Sequence, residues 1–187
     1  MGKSMSAELL RQGNVPIVDT DVIAREVVEP GEPALEEIVA TFGKGALDPN
    51  GHLNRAEVAR RVFSNPSLRA KLEGILHPRI RERWLAQTLT WRTQGHRLAA
   101  VIIPLLFETH AEKECDATVC VACSARTQQS RLLARGWTPE QISQRLAAQW
   151  PTPKKVEAAD FLIWTESSVD VHAAQLQRVL QALSQEV

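Results

Sequence analysis

Asp19 and Asp21 stand two residues apart in VPIVDTDVIARE, directly after a short apolar run. Two carboxylates at this spacing, at the carboxyl end of a strand, can divide the work between them. One accepts a proton or orients a hydroxyl while the other helps to hold a metal. The plainer alternative is that Asp19 or Thr20 caps the helix DVIARE. The stretch alone leaves both open. Gly2-Lys3-Ser4 leads straight into MSAELL, a helical sequence. A lysine and a hydroxyl then stand at a helix N-terminus, where backbone amides and the helix dipole favour phosphate. Taken alone, the same three residues also fit an ordinary polar helix start.

Further along, Glu108 follows VIIPLLF just beyond Pro104, again at the edge of a strand where ligands gather, while Leu105, Leu106 and Phe107 also read as core. Arg126, Arg131, Arg135 and Arg145 recur on helical stretches flanking a turn. They suit a mobile clamp for phosphate, or equally a solvated basic face. His77-Pro78 follows an apolar helix face ending in Leu76, which favours a structural histidine.

These side chains need elements to hold them. Four apolar runs have strand length: Val15 to Val18, Leu98 to Ile103, Ala117 to Ala122 and Phe161 to Trp164. Three are nearly continuous, the pattern of parallel strands covered on both faces. Asn65-Pro66 and Thr138-Pro139-Glu140-Gln141 mark helix starts, the second with a capping box. From Val169 to Leu183 apolar positions recur at helical spacing and form one stripe. Between Ala34 and Gly95 there is no strong strand signal, only helical stretches broken by the turn-rich FGKGALDPNGHLN. Strand and helix units with a long helical insertion predict an α/β protein whose ligand sits at the carboxyl ends of its strands.

The chain has 187 residues and 20.8 kDa, enough for one domain with a real core and a small appended one. Its 22 basic and 22 acidic residues leave no general electrostatic footprint for nucleic acid or a membrane surface. There is no run of the ~20 apolar residues that a membrane helix needs and no signal-peptide core, so a cytoplasmic protein is expected, binding neither nucleic acid nor membrane. Cys115, Cys120 and Cys123 are an odd set clustered around one β-branched run and read as buried thiols rather than a disulfide framework or metal site.

Taken in order, GKS, VPIVDTDVIAREVVEPG, FGKGALDPNGHLNR, LEGILHPRI, IPLLFE, RLLAR, Gln149 and AADFLI resemble the dephospho-coenzyme A kinases over nearly the whole chain. The resemblance implies a three-layer P-loop kinase fold with a parallel sheet. The core would be residues 1–33 and 96–187, with a lid at about 124–150 and a helical substrate-binding insertion at 34–95. It further implies transfer of the γ-phosphate of ATP to the ribose 3′-hydroxyl of dephospho-coenzyme A, with magnesium, by a monomer or weak homo-oligomer. By matching position, Gly2, Lys3, Ser4 and Met5 with Arg131 and Arg135 would form the ATP side, and Ser4 would ligate magnesium. Asp21, with Asp19 beside it, would orient or deprotonate the attacking hydroxyl. Arg135 would steady the migrating charge, and Asp21, His77, Arg79, Leu106 and Glu108 would line the substrate side.

Two positions depart from the pattern of that family: Gly136, where members often carry an acidic residue, and Trp164-Thr165, where many carry an asparagine near the adenine. A third departure is the start. In G-x-x-x-x-G-K-S/T the loop follows a buried strand, and here Met1 would be the fourth variable position. Losing the central strand would cost about 1 to 3 kcal/mol for each buried group left unpaired. The expectation is therefore an upstream natural start, with a strand and the first half of the loop before Met1, and weak or absent ATP binding by a chain beginning at Met1. Two other readings stay open from sequence: another small P-loop kinase, or a non-catalytic kinase fold that binds a ligand or partner.

Overall fold

The computed structural model describes residues 2–185; Met1, read above as a loop position, lies outside them. The elements in chain order are helix α1 (Lys3–Gln12), strand β1 (Ile17–Asp19), α2 (Thr20–Glu26), α3 (Pro33–Phe42), α4 (Arg55–Ser64), α5 (Pro66–Thr93) and β2 (Ala100–Ile102). There follow β3 (Val119–Ala122), α6 (Ala125–Leu133), α7 (Pro139–Ala147), α8 (Thr152–Ala158), β4 (Phe161–Trp164) and α9 (Val169–Gln185). Two compact units emerge, Met1–Ile17 with Ile102–Val187, and Val18–Val101.

In the first unit β3 and β4 pair in parallel, with Val119 opposite Phe161 and Ala122 opposite Trp164. Asp160 staples the start of this pair: its carboxylate accepts from the Thr118 amide (2.7 Å) and hydroxyl (2.8 Å), and its own amide donates back to that hydroxyl (3.1 Å). Ala7 and Leu10 of α1, Ala122 and Cys123, Ile163, and Leu176 and Val179 of α9 are buried.

The second unit is built on α5, against which α2, α3 and α4 pack. Ile23, Val27, Ala34, Leu35, Ile38, Val58, Ile75 and Trp84 are among its buried apolar side chains. Asn65 caps α5 by accepting from the Leu68 amide, with Pro66 in the first turn, as the sequence predicts. The helix continues through Pro78. Proline removes one internal donor there, and the Arg79 side chain supplies another nearby, donating from Nη1 to the Ile75 carbonyl at 2.7 Å. The turn-rich segment after α3 holds a 3-10 turn, Lys44–Ala46, and an antiparallel bridge between Leu47 and Leu53.

Three expectations are corrected. The first strand begins at Ile17 rather than Val15, because Pro16 has no amide to give a ladder. The strands pair as two two-stranded sheets, β1 with β2 and β3 with β4. Full coverage on both faces is therefore not reached: most strand residues are half-buried, and Leu162 and Trp164 are 42 % and 40 % exposed. Val169, on the apolar stripe of the last helix, is exposed at its first turn.

Candidate functional site

Helix α1 starts at Lys3. Gly2 caps it in the left-handed region (φ 92°), with no side-chain cap and no acidic residue in the first turn. The first amides of a helix have no partner within it, so they carry a partial positive charge that suits an anion. Lys3 is half-buried, while Ser4 and Met5 are exposed. One turn along, the buried Ser6 hydroxyl bonds Nε2 of buried His172 at 2.8 Å, which fastens α1 to α9. Burial, followed by the positive charge of Arg131, holds the His172 imidazole below its ordinary range.

Thr165, the residue after β4, forms a wall beside Gly2. A Cβ added at Gly2 would stand 2.7 Å from Thr165 Cγ2. The same threonine is gripped by Arg131, whose Nη1 donates to Oγ1 at 3.0 Å and Nη2 to the carbonyl at 2.5 Å; Thr165 Oγ1 in turn donates to the Ala122 carbonyl at 3.1 Å. Gly2 and Arg131, both predicted for the ATP side, therefore meet at Thr165. Glu166 follows and closes over the start of α6. Its carboxylate accepts from the Ser124 hydroxyl, from the Ser124 amide (3.1 Å), the Thr127 hydroxyl (2.5 Å) and Trp164 Nε1 (3.1 Å). Those bonds, the Ser124 hydroxyl foremost, push its pKa down to about 2.

Arg135 lies exposed in the turn between α6 and α7, one residue before Gly136 (φ 81°). The predicted capping box forms at Thr138, and the Arg145 guanidinium sits 4.3 Å from the centre of the Trp137 ring. Arg145 is thus occupied by an aromatic face.

Beyond β2, Leu106 is half-buried and Glu108 turns inward. Glu108 Oε1 accepts from the Trp150 amide at 2.6 Å and pairs with Lys155 Nζ at 2.9 Å. Burial alone would raise this carboxyl, but Lys155, the Trp150 amide and its own amide together bring it below its ordinary value.

In the second unit Asp19 ends β1 and caps α2, its Oδ1 accepting from the Asp21 amide at 2.9 Å. The capping alternative is therefore realised for Asp19, and it fixes the backbone of Asp21, whose side chain is exposed. His77 is exposed on α5, and Arg79 donates from Nη2 to Glu37 at 2.7 Å. Arg79 also lines a cleft of about 370 Å³ with Val27, Glu32, Glu82 and Arg83, and Arg83 pairs with Glu32 at 2.7 Å. Arginine has five donors, so Arg79 keeps capacity for a further acceptor.

Sequence reading missed Ser6, His172, Glu166 and Lys155 as supports of the candidate residues. Their partners lie 166, 42 and 47 positions away in the chain, and no local spacing signals such pairs. Among the described residues no group of three or more His, Cys, Asp or Glu could hold a metal ion. No helix among them is long and apolar enough to cross a membrane.

The dephospho-CoA kinase family model matches residues 1–170. A dephospho-CoA kinase of Bdellovibrio bacteriovorus is 38% identical over 184 residues, 98% of this chain and 92% of that protein. One from Anaeromyxobacter dehalogenans is 41% identical over 183 residues, 97% of this chain and 87% of that protein. A crystal structure from Thermus thermophilus superposes with a TM-score of 0.81 at 32% identity, covering 100% of this chain and 92% of that one. Family model and relatives alike span nearly its whole length, and the chain belongs to the dephospho-CoA kinase family.

Proposed function

We propose that this chain transfers the γ-phosphoryl group of ATP to the ribose 3′-hydroxyl of dephospho-coenzyme A, the last step in making coenzyme A. The observation that carries the reading is the N-terminus of α1, where Gly2 is the cap and Lys3 and Ser4 stand in a first turn without an acidic residue. Phosphoryl transfer asks little covalent chemistry of a protein, so positioning and charge stabilisation dominate.

In this reading the α1 amides and Lys3 hold the β- and γ-phosphates. Gly2 lets the backbone approach them closely, and Met5 lies alongside. Magnesium suits the donor set: it keeps several waters and binds through few protein oxygens plus phosphate, so the exposed Ser4 hydroxyl is a sufficient protein ligand. The ion would neutralise charge on the phosphates. Asp21 orients the attacking hydroxyl and takes its proton, with Asp19 fixing the backbone that carries it. Arg135, on its exposed turn, steadies the migrating charge, and Arg131 joins it on the ATP side. His77, Arg79, Leu106 and Glu108 contact the alcohol substrate. We assign residues 1–33 and 96–187 to a kinase core with a lid at about 124–150, and 34–95 to the substrate insertion. A cytoplasmic monomer or weak homo-oligomer suffices for this chemistry.

Substrate profiling with magnesium and ATP tests the reading. Dephospho-coenzyme A should be phosphorylated far faster than nucleosides, nucleotides or small alcohols. Asp21→Asn should lower kcat by about a hundredfold or more. Equal rates on a nucleoside or nucleotide would favour another kinase of the same fold, and binding of dephospho-coenzyme A without turnover would show a non-catalytic one.

A further inference from the structure

Glu108 uses its two oxygens unequally. Oε1 takes both the Trp150 amide and Lys155, whereas Oε2 is buried and has no hydrogen-bond partner among the described residues. Leaving a buried acceptor unmade is costly, and such an atom in a native fold asks for a reason. The rest of the group is held firmly. Glu108 and Lys155 side chains are each only 14% exposed. Phe107 stacks on Trp150 with ring centres 5.7 Å apart and planes 11° apart, and Lys154 lies over the Trp150 ring at 3.5 Å, which anchors the amide that Glu108 accepts from. Lys155 also reaches Gln149 Oε1 at 3.3 Å. Every one of these contacts pins Oε1, its donors or the rings beside it, and none occupies Oε2.

We propose that Lys155 is a positioning residue: with the Trp150 amide it holds Glu108 by Oε1, so that the buried Oε2 is left unpaired for a hydrogen-bond donor that the alcohol substrate brings when it binds. This rests on the reading of Glu108 as a substrate-side residue. Lys155 touches no reacting atom. Its work is to orient the carboxylate and to keep it ionised against burial, which is the largest single influence on that group and opposes ionisation. A site built to meet a substrate donor discriminates through that bond, so loss of orientation should affect one substrate and leave the other alone.

The test uses the full chain with Lys155→Met, Lys155→Arg, Glu108→Gln and the double variant Glu108→Gln/Lys155→Met. Steady-state constants for dephospho-coenzyme A and for ATP are measured across pH, with folding checked by circular dichroism. Lys155→Met should raise the KM for dephospho-coenzyme A about tenfold while the KM for ATP stays within about twofold. That rise should steepen as pH falls, because a buried carboxyl without its lysine takes up a proton at higher pH. Lys155→Arg should restore most of the loss, and the double variant should be no worse than the worse single one, the mark of two residues acting as one unit.

A folded Lys155→Met chain with both KM values unchanged, with both raised together, or with a loss additive to that of Glu108→Gln would overturn the proposal. Carboxyl NMR titration of Glu108 reads the same claim without turnover. It should titrate below the ordinary carboxylate range in the native chain and above it in Lys155→Met, and an unmoved titration would also overturn the proposal. Should Lys155→Met fail to fold, the same titration in Lys155→Arg decides: Glu108 still held low supports the proposal, and a rise above the ordinary range overturns it. Absence of any dephospho-coenzyme A turnover by the native chain would instead refute the functional reading, and the titration would still decide the role of Lys155.

Discussion

Replacing Gly2 by alanine separates two costs that the structure places at one position. The residue has φ +92°, which an L side chain adopts only at a cost, and the new Cβ would lie 2.7 Å from Thr165 Cγ2 and 3.1 Å from Val121 Cγ1. Thr165 cannot swing away freely, since its hydroxyl is tied to the Ala122 carbonyl and to Arg131. Left-handed backbone costs an alanine about 1 to 2 kcal/mol, and overpacking against a fixed wall adds about 1 to 3 kcal/mol. Gly2→Ala should therefore lose about 2 to 5 kcal/mol, a large share of a typical margin of about 5 to 15 kcal/mol. Gly136 is the matched control: its φ is +81° and an added Cβ meets nothing within 4 Å. Gly136→Ala should pay the backbone term alone, about 1 to 2 kcal/mol. Urea unfolding followed by fluorescence of the five tryptophans reads both variants. If the two losses agree within about 0.5 kcal/mol, the close wall at Gly2 is not felt and the reasoning fails.

Two further outcomes follow from the same unit. The folded chain resists the proton that an unfolded His172 accepts, since burial and then Arg131 hold its pKa below the ordinary 6.5. Stability is thus full above about pH 6.5 and falls as the pH drops below it. The urea midpoint should decline from about pH 7.5 to about pH 5, and His172→Gln should flatten that decline; an unaltered slope would exclude His172 as its source. Arg131→Lys replaces a planar fork on Thr165 with a point charge, so the KM for ATP should rise about tenfold with the fold retained. A KM within about twofold of the native chain would show that the grip on Thr165 does not shape the ATP side.

Local chemistry was legible in the sequence wherever the cause is local. Asn65-Pro66 and Thr138 to Gln141 start helices as read, because a cap and its target amide lie three residues apart. The Gly2-Lys3-Ser4 helix and the Asp19-Thr20-Asp21 turn also sit where expected. Apolar runs located the four strands to within a few residues, but continuous hydrophobicity implied more burial than paired ribbons achieve. Least legible were the supports: Lys155 for Glu108, His172 for Ser6, and Glu166 for Ser124. Each joins segments that become neighbours only after the chain has folded. A buried ion pair at positions 108 and 155 looks in sequence like two ordinary surface charges.

Kinase activity is tested most directly in one assay: this chain is mixed with magnesium, ATP and dephospho-coenzyme A, and 3′-phosphorylated product is followed by chromatography beside a Lys3→Ala chain of equal fold content. Coenzyme A should form, and its formation should fall by about a hundredfold or more in Lys3→Ala. A folded native chain that yields no product, or yields as much without Lys3, would contradict the kinase reading.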